Sequence, residues 1–222
     1  MKIETMEYLA NKIENIELLK KLITKLDDMP KEEARKFIRE LDEFSSKEAT
    51  ILVSELEKCD FNLNALKIII DLEVKKTKTF EEKIKLIRAL KDCDYVTGAY
   101  YVATNRDVLE QKTVEEQIML MKAIKDCFFC EVATNRKVLE QRTTEEQIML
   151  IDALKECGKY PYGLGAIITN NDVLNERNVE DQIKLIKALK DCDYITGAFK
   201  VAFDKNILEE RTVEEQIKLM KE

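Results

Sequence analysis

Six cysteines are the residues of this chain whose spacing could do chemistry, since thiol pairs form disulfides and thiolate clusters bind zinc. Five of them occupy one position of a repeated segment, and the sixth completes a CxxC pair. The five are Cys59, Cys93, Cys127, Cys157 and Cys192, and the pair is Cys127 and Cys130.

Equivalent positions of stacked helical units lie about 8–10 Å apart. A disulfide needs Cα atoms about 5.5–6 Å apart, and a zinc ligand lies about 2.3 Å from its metal. Cys130 falls where Tyr100 and Phe199 fall in other units, which indicates a core position. We therefore interpret the cysteines as small buried side chains and predict neither a metal site nor a cofactor.

The other common catalytic arrangements have no counterpart in the sequence. It contains no histidine, which excludes Ser/His, Cys/His and histidine-metal sites. No glycine-rich phosphate-binding loop is present, and the carboxylates recur at fixed repeat positions where helix capping or ion pairing explains them. We expect a protein that is not an enzyme and has no catalytic residues.

The elements that position these residues belong to a repeat of about 34 residues. Self-similarity at a fixed period is typical of a solenoid, in which each unit buries its apolar face against its neighbours. The N-terminal residues 1–45 depart from the pattern and are interpreted as an atypical helical cap. The predicted array is one continuous domain with units 46–79, 80–113, 114–143, 144–178 and 179–212 and a partial unit 213–222.

Four units begin with a capping-box pattern, Thr followed three residues later by Glu, as in Thr79–Glu82, and Asn178–Asp181 is a weaker relative of it. A first helix of about fourteen residues follows, such as residues 179–192. Its polar side chains form a narrow stripe, so the apolar arc is wide enough to be buried by several neighbours. A short second helix, such as residues 99–104, and a single capped turn, such as residues 105–110, complete the unit.

With paired helices, this period and this core pattern, residues 46–222 resemble the α-solenoid class, nearest to HEAT and armadillo arrays. The resemblance implies an all-α fold, a right-handed α-solenoid in which the second helices line the concave side. Some DNA glycosylases use HEAT-like arrays, but that likeness would require a basic groove and stacking aromatic residues. The chain lacks tryptophan, and none of its four clear repeats has a basic surplus.

The net charge of −7 is spread over the units, which argues against nucleic acid as a partner. No apolar run is long enough for a membrane span, and the N-terminus lacks a secretion-signal pattern, so we expect a cytoplasmic protein without a membrane partner. Residues 213–222 resemble the start of a further unit. Either that helix closes the stack, or the chain belongs to a longer parent with further repeats or domains.

Exposed positions that vary between units are the candidates for ligand recognition. On the second helices, one aligned position changes chemistry while its neighbours stay apolar. We predict that Tyr101, Glu131 and Lys200 contact a protein or peptide; the predicted flanking residues are Thr104, Asn135, Asn170 and Asp204. Neutral drift of a solvated surface would give the same variation.

Two further groups of residues are binding candidates. The line of Arg106, Arg136 and Lys205 could hold an acidic peptide, although the Asn-Arg sequence also fits a capped turn. Met119 and Met149 replace the lysines of other units on the first helices, and could form an adaptable apolar patch.

The sequence thus predicts a scaffold that binds a protein or peptide along its concave surface. A nucleic-acid-binding array and a purely architectural spacer remain the alternatives.

Overall fold

The computed structural model describes residues 3–125, 130–157, 164–191 and 195–221. Over these residues the chain forms nineteen α-helices and no β-strand, which confirms the expected all-α class. Three helices come first: α1 (Ile3–Lys12), α2 (Ile16–Asp28) and α3 (Lys31–Leu41).

Five triplets of helices follow, each made of a first helix, a shorter second helix and a short third helix. In chain order they are α4 (Ser46–Lys58), α5 (Leu63–Ile70) and α6 (Leu72–Thr77); α7 (Phe80–Asp92), α8 (Thr97–Thr104) and α9 (Arg106–Gln111); α10 (Val114–Ala123), α11 (Cys130–Thr134) and α12 (Arg136–Gln141); α13 (Thr144–Glu156), α14 (Leu164–Thr169) and α15 (Asn171–Glu176); α16 (Val179–Lys190), α17 (Ile195–Phe203) and α18 (Lys205–Glu210). The last helix, α19 (Val213–Lys221), begins as the first helices do.

Helices at the same place in successive triplets contact each other in chain order. The first helices pack in the order α4, α7, α10, α13, α16, α19, and the third helices in the order α6, α9, α12, α15, α18. The second helices α5, α8, α11 and α14 do the same. Each second helix also contacts the first helix of the next triplet, so the apolar core lies between the rows.

The N-terminal helices continue this arrangement. Helix α2 packs against α4 as one first helix packs against the next, and α3 packs against α5 as one second helix packs against the next. Lys75 of α6 forms ion pairs with Glu40 near the end of α3 and with Glu43 just beyond it. Residues that depart from the repeat in sequence therefore cover the α4–α5 side of the core.

The helix starts follow the capping chemistry that the sequence predicts. Reciprocal hydrogen bonds between the N-cap Thr and the Glu three residues later are present at α7, α10 and α13. Asn178 caps α16 through its side-chain oxygen, which accepts from the backbone N–H of Asp181 at 2.9 Å. Each cap contributes about 1 kcal/mol to helix stability, so the unit boundaries are set locally.

Two of the first helices end on consecutive left-handed residues. After α4, Asp60 and Phe61 have φ of 47° and 51°, and after α7, Asp94 and Tyr95 have φ of 53° and 57°. The Tyr95 N–H then donates to the Leu90 carbonyl at 3.0 Å, which closes the helix end. Bulky residues rarely adopt this conformation, so burial of the aromatic ring of Phe61 must offset a cost of about 1 kcal/mol or more.

The described repeat cysteines lie at the ends of first helices, as predicted. Cys59, Cys93 and Cys157 are the C-cap residues of α4, α7 and α13, and all three are buried free thiols. Burial raises the pKa of each of these thiols. Cys127 and Cys192 lie outside the described residues. Every helix in the described ranges is too short or too polar to cross a membrane.

Candidate binding surfaces

The variable position of the second helices lies at the protein surface. We call this row the second-helix face, and its members are Lys67, Tyr101, Glu131, Ala166 and Lys200. Tyr101, Glu131, Ala166 and Lys200 are exposed, and Lys67 is half-buried. The flanking positions of α8, Ala99, Val102 and Ala103, are completely buried. Because α5, α8, α11 and α14 pack in order, the first four members lie on neighbouring helices.

Tyr101 is the largest apolar side chain of the second-helix face. Its side chain is 52% exposed, and its ring centroid lies 5.9 Å from that of Tyr100, at an interplanar angle of 49°. Tyr100 is half-buried, so it supports the exposed ring from below. A supported tyrosine ring loses little conformational entropy on binding and suits a peptide contact.

The charged residues of the second-helix face are available for a ligand. Among the described residues, Lys67, Glu131 and Lys200 form no ion pair, whereas the first and third helices carry regular pairs. A carboxylate and two ammonium groups on one face could pair with charges of a bound chain.

The predicted flanking residues have structural partners. Thr104 donates its hydroxyl to the Tyr100 carbonyl at 3.0 Å. The side-chain oxygens of Asn135, Asn170 and Asp204 accept backbone N–H groups at the starts of α12, α15 and α18. These four residues lie beside the second-helix face, but hydrogen bonds within the chain already use their oxygens.

The line of basic residues on the third helices is neutralised within each helix. Arg106 Nε donates to Glu110 at 2.8 Å and Arg136 Nε to Glu140 at 2.8 Å, while Lys205 lies 3.5 Å from Glu209. The hydrogen bond to Glu110 raises the pKa of Arg106. An acidic peptide would have to compete with these i,i+4 carboxylates, so the geometry favours the capped-turn interpretation.

Met119 and Met149 lie at the same position of the neighbouring helices α10 and α13, which pack together. Their side chains are 41% and 44% exposed. The structure thus brings two large apolar side chains to the surface of adjacent first helices, away from the second-helix face.

A row of buried glutamines in the first helices is a feature that the sequence analysis missed. Gln117, Gln147, Gln182 and Gln216 are 0% exposed although each interrupts an apolar arc. The amide nitrogen of Gln147 donates to the Val132 carbonyl at 3.0 Å, and that of Gln216 to the Ala202 carbonyl at 3.1 Å. The amides of Gln147, Gln182 and Gln216 donate to carbonyls near the C-terminal ends of second helices, where the last carbonyls lack a partner within their own helix. The Gln117 amide instead donates to the Val108 and Lys112 carbonyls at the end of α9. Recurrence of one polar residue type inside an apolar pattern was the available signal.

Arginines that precede the first helices complete this network across units. Arg142 Nε donates to Gln182 Oε1 at 3.2 Å, and its Nη2 donates to the carbonyls of Leu174 and Arg177 at 3.1 and 2.6 Å. Arg177 repeats this pattern one unit later on Gln216. Each guanidinium therefore caps the C-terminal end of the next third helix and orients a buried glutamine.

Where lysine stands at the arginine position, the glutamine oxygen is unsatisfied. Lys78 and Lys112 occupy this position in the two preceding units. The described residues offer no hydrogen-bond partner to Oε1 of Gln117 or Gln147, although both oxygens are buried. An ammonium group cannot reproduce the forked donor geometry of a guanidinium.

Lys112→Arg is therefore expected to stabilise the protein by about 1 kcal/mol, because it supplies a donor to the buried oxygen of Gln147. Urea unfolding followed by circular dichroism measures the change. In a Gln147→Met background, which lacks this oxygen, the same substitution should give no gain. An equal gain in both backgrounds would contradict the proposed partner.

Neither the search for metal-binding groups nor the comparison with known proteins adds a further site. Within the described ranges, no three cysteine or acidic side chains converge where a metal ion could be held. The sequence matches no protein-family model, and no curated protein or solved structure shows significant similarity to it. No relative therefore assigns a role to any residue of these surfaces.

Proposed function

We propose that this chain is a non-enzymatic helical-repeat scaffold that binds a protein or peptide along the second-helix face. The observation that carries the proposal is the combination of exposure, variation and absence of ion pairs at this position among the described residues. Arg106, Arg136 and Lys205 of the third helices pair with carboxylates of their own helices, whereas the charges of the second-helix face have no such partner among the described residues. The lack of histidine supports a non-enzymatic role.

We further propose that the rows wind into a right-handed α-solenoid, similar to HEAT and armadillo arrays, with the second helices on the concave side. Close approach of α8 and α11 supports this orientation. A Cβ placed on Gly98 would lie 3.5 Å from the Cβ of Cys130 and 3.2 Å from Cδ1 of Ile124. The buried alanines Ala103 and Ala133 of the same two helices are compatible with this close approach.

A concave row fits an extended peptide or a helix because both present side chains at regular spacing. Successive second helices would each offer one different side chain, here Tyr101, Glu131 and Lys200, to successive parts of the ligand. The cytoplasmic location stays a prediction from the sequence.

Selection from a random peptide display library tests the binding role directly. Peptides selected on the full chain are expected to bind Tyr101→Ala/Glu131→Ala/Lys200→Ala at least about tenfold more weakly, equal to about 1.4 kcal/mol. The reason is loss of the exposed ring and of both unpaired charges. Isothermal titration calorimetry measures the affinity.

A matched control carries alanine at Leu72, Glu210 and Lys218, which are exposed on other helices. This control should bind the selected peptides as the parent does. Equal affinities of the parent and the Tyr101, Glu131 and Lys200 variant would overturn the assignment to the second-helix face. Retarded single-stranded or duplex DNA at low salt, with no selected peptide, would favour the nucleic-acid alternative.

A further inference from the structure

The exposed methionines mark a second surface, distinct from the second-helix face. We define the methionine patch as Met119, Met149, Glu145 and Glu180, on the neighbouring helices α10, α13 and α16. We propose that this patch binds a basic amphipathic helix of a partner protein. The proposal goes beyond the peptide-binding role of the second helices and uses other residues.

The flanking units show what the methionines replace. Lys85 stands at the same position of α7 and pairs with Glu115 of the next first helix at 2.7 Å. Lys184 of α16 pairs in the same way with Glu214 at 3.1 Å. Lys85 and Lys184 therefore each link their own unit to the next one through an ion pair.

The two central units lack this pair. The equivalent partners of Met119 and Met149 are Glu145 and Glu180, at the first turns of α13 and α16. Both glutamates are exposed, and among the described residues neither forms an ion pair. The substitution thus leaves two exposed thioethers beside two carboxylates without a cation.

This combination determines the chemistry of the partner. Methionine side chains are flexible and adapt to apolar residues of a docked helix. A helix that lays its apolar face on the methionines and places Lys or Arg beside Glu145 and Glu180 would replace the missing ion pairs. Lys122 is exposed on α10, one turn C-terminal to Met119. The acidic side chains of the patch lie at the other end of the first helices, in the first turns of α13 and α16, and the cations of the partner helix would be placed there.

Charge also argues against a second copy of this chain as the occupant. Two methionine patches placed face to face would bring four unpaired carboxylates together, which is unfavourable. An anionic membrane surface would be repelled for the same reason.

The test uses the full chain and a fluorescein-labelled peptide of leucine and lysine, about 18 residues or five helical turns long, with leucines at i, i+3, i+4 and i+7. Fluorescence anisotropy at physiological salt measures its binding. A peptide with glutamate in place of lysine is the charge control. We expect the lysine peptide to bind and the glutamate peptide not to bind.

Met119→Lys/Met149→Lys restores the ion pairs of the other units and should weaken binding at least about tenfold, since two apolar contacts and the free carboxylates are lost together. Ile16→Lys/Leu72→Lys adds the same charge at exposed apolar positions of α2 and α6 and should leave binding unchanged. Met119→Gln/Met149→Gln should weaken binding without any change of charge. The restored ion pairs should keep the lysine variant folded, which circular dichroism checks.

The proposal is overturned if the parent chain does not bind the lysine peptide, or if Met119→Lys/Met149→Lys binds it as well as the Ile16 and Leu72 control does. It is also overturned if sedimentation shows a dimer that this variant dissociates, because the occupant is then a second copy. The Tyr101, Glu131 and Lys200 alanine variant should bind the lysine peptide normally. Failure of the second-helix face and failure of the methionine patch are therefore separate results.

Discussion

Arg177→Met is expected to lower the free energy of unfolding by about 3 kcal/mol, because it removes a buried charged donor that several acceptors share. The Arg177 side chain is almost completely buried. Its Nη1 donates to the Leu208 carbonyl at 2.9 Å, its Nη2 to the Arg211 carbonyl at 2.8 Å and its Nε to Gln216 Oε1 at 3.3 Å. Methionine fills a similar volume but leaves these acceptors without their donor.

Three variants test whether the hydrogen bonds of Arg177 cause this loss of stability. Arg136→Met removes an exposed arginine whose partner is Glu140 on the same helix, and should change stability by less than about 0.5 kcal/mol. Arg177→Lys keeps the positive charge but not the forked donor geometry of the guanidinium. It should therefore lose most of the free energy that Arg177→Met loses. A double variant with Gln216→Met should cost less than the sum of the single changes, since the two residues share one interaction.

Urea unfolding at neutral pH measures these differences. Equal stability of Arg177→Met and Arg136→Met would contradict the assignment of Arg177 as the cap of the C-terminal end of α18. The same measurement on Arg142→Met should give a loss of similar size, because Arg142 makes the equivalent bonds one unit earlier.

The second large effect is a loss of stability in acid that depends on Glu55. This carboxylate stands where the other units have alanine, such as Ala89, and its side chain is 8% exposed. Arg88 of the next first helix donates Nε to Oε2 at 3.0 Å and Nη2 to Oε1 at 2.7 Å, and Lys58 lies 2.8 Å from Oε1. The hydrogen bonds from Arg88 lower the pKa of Glu55 to about 2, against the opposing effect of burial.

The lowered pKa of Glu55 determines how the stability of the protein changes with pH. The folded-state pKa lies below the ordinary glutamate value of 4.5, so the unfolded chain binds the proton more readily. The stabilisation is complete above about pH 4.5 and is lost as the pH falls towards 2. We expect a contribution of about 2 kcal/mol, reduced from the full shift because Arg88 is 59% exposed and solvent screens the pair.

Glu55→Gln is therefore expected to lower stability at pH 7 by about 2 kcal/mol and to flatten its decrease between pH 5 and pH 3. Urea unfolding at steps of pH provides the measurement. Glu145→Gln, which changes an exposed carboxylate without an ion pair, should leave both the stability and its pH slope unchanged. If Glu55→Gln and the parent chain show parallel slopes, the buried pair does not carry the acid sensitivity.

Local chemistry explains why much of the fold could be predicted. The Thr-x-x-Glu pattern fixes where first helices begin, and the structure has the reciprocal bonds at Thr79, Thr113 and Thr143. Asn105 marks the start of α9 because its side chain caps the third residue along. Such bonds join residues within three positions of each other, so their geometry depends little on the rest of the chain.

The candidate surfaces were predicted in part. Alternation of constant apolar and variable residues placed Tyr101, Glu131 and Lys200 at the surface, because burial tolerates few changes of chemistry. The same reasoning grouped Asn135 and Asn170 with them, although the structure uses these side chains as caps. The i,i+4 spacing of Arg106 and Glu110 allows an ion pair, but only the structure shows that this pair forms and neutralises the arginine.

The sequence by itself determined the helix starts, the all-α class and which positions are apolar, since these depend on interactions between near neighbours. Only the tertiary structure decided which polar residues are buried and what they contact. Arg177 and Gln216 are 39 positions apart, and neither the arginine nor the glutamine is distinguishable from a surface residue by its type. Their hydrogen bond forms because two separate helices are packed side by side, and that packing depends on contacts along the whole row. For the same reason, the loss of the Lys–Glu pairs at Met119 and Met149 has meaning only once the helices are placed next to each other.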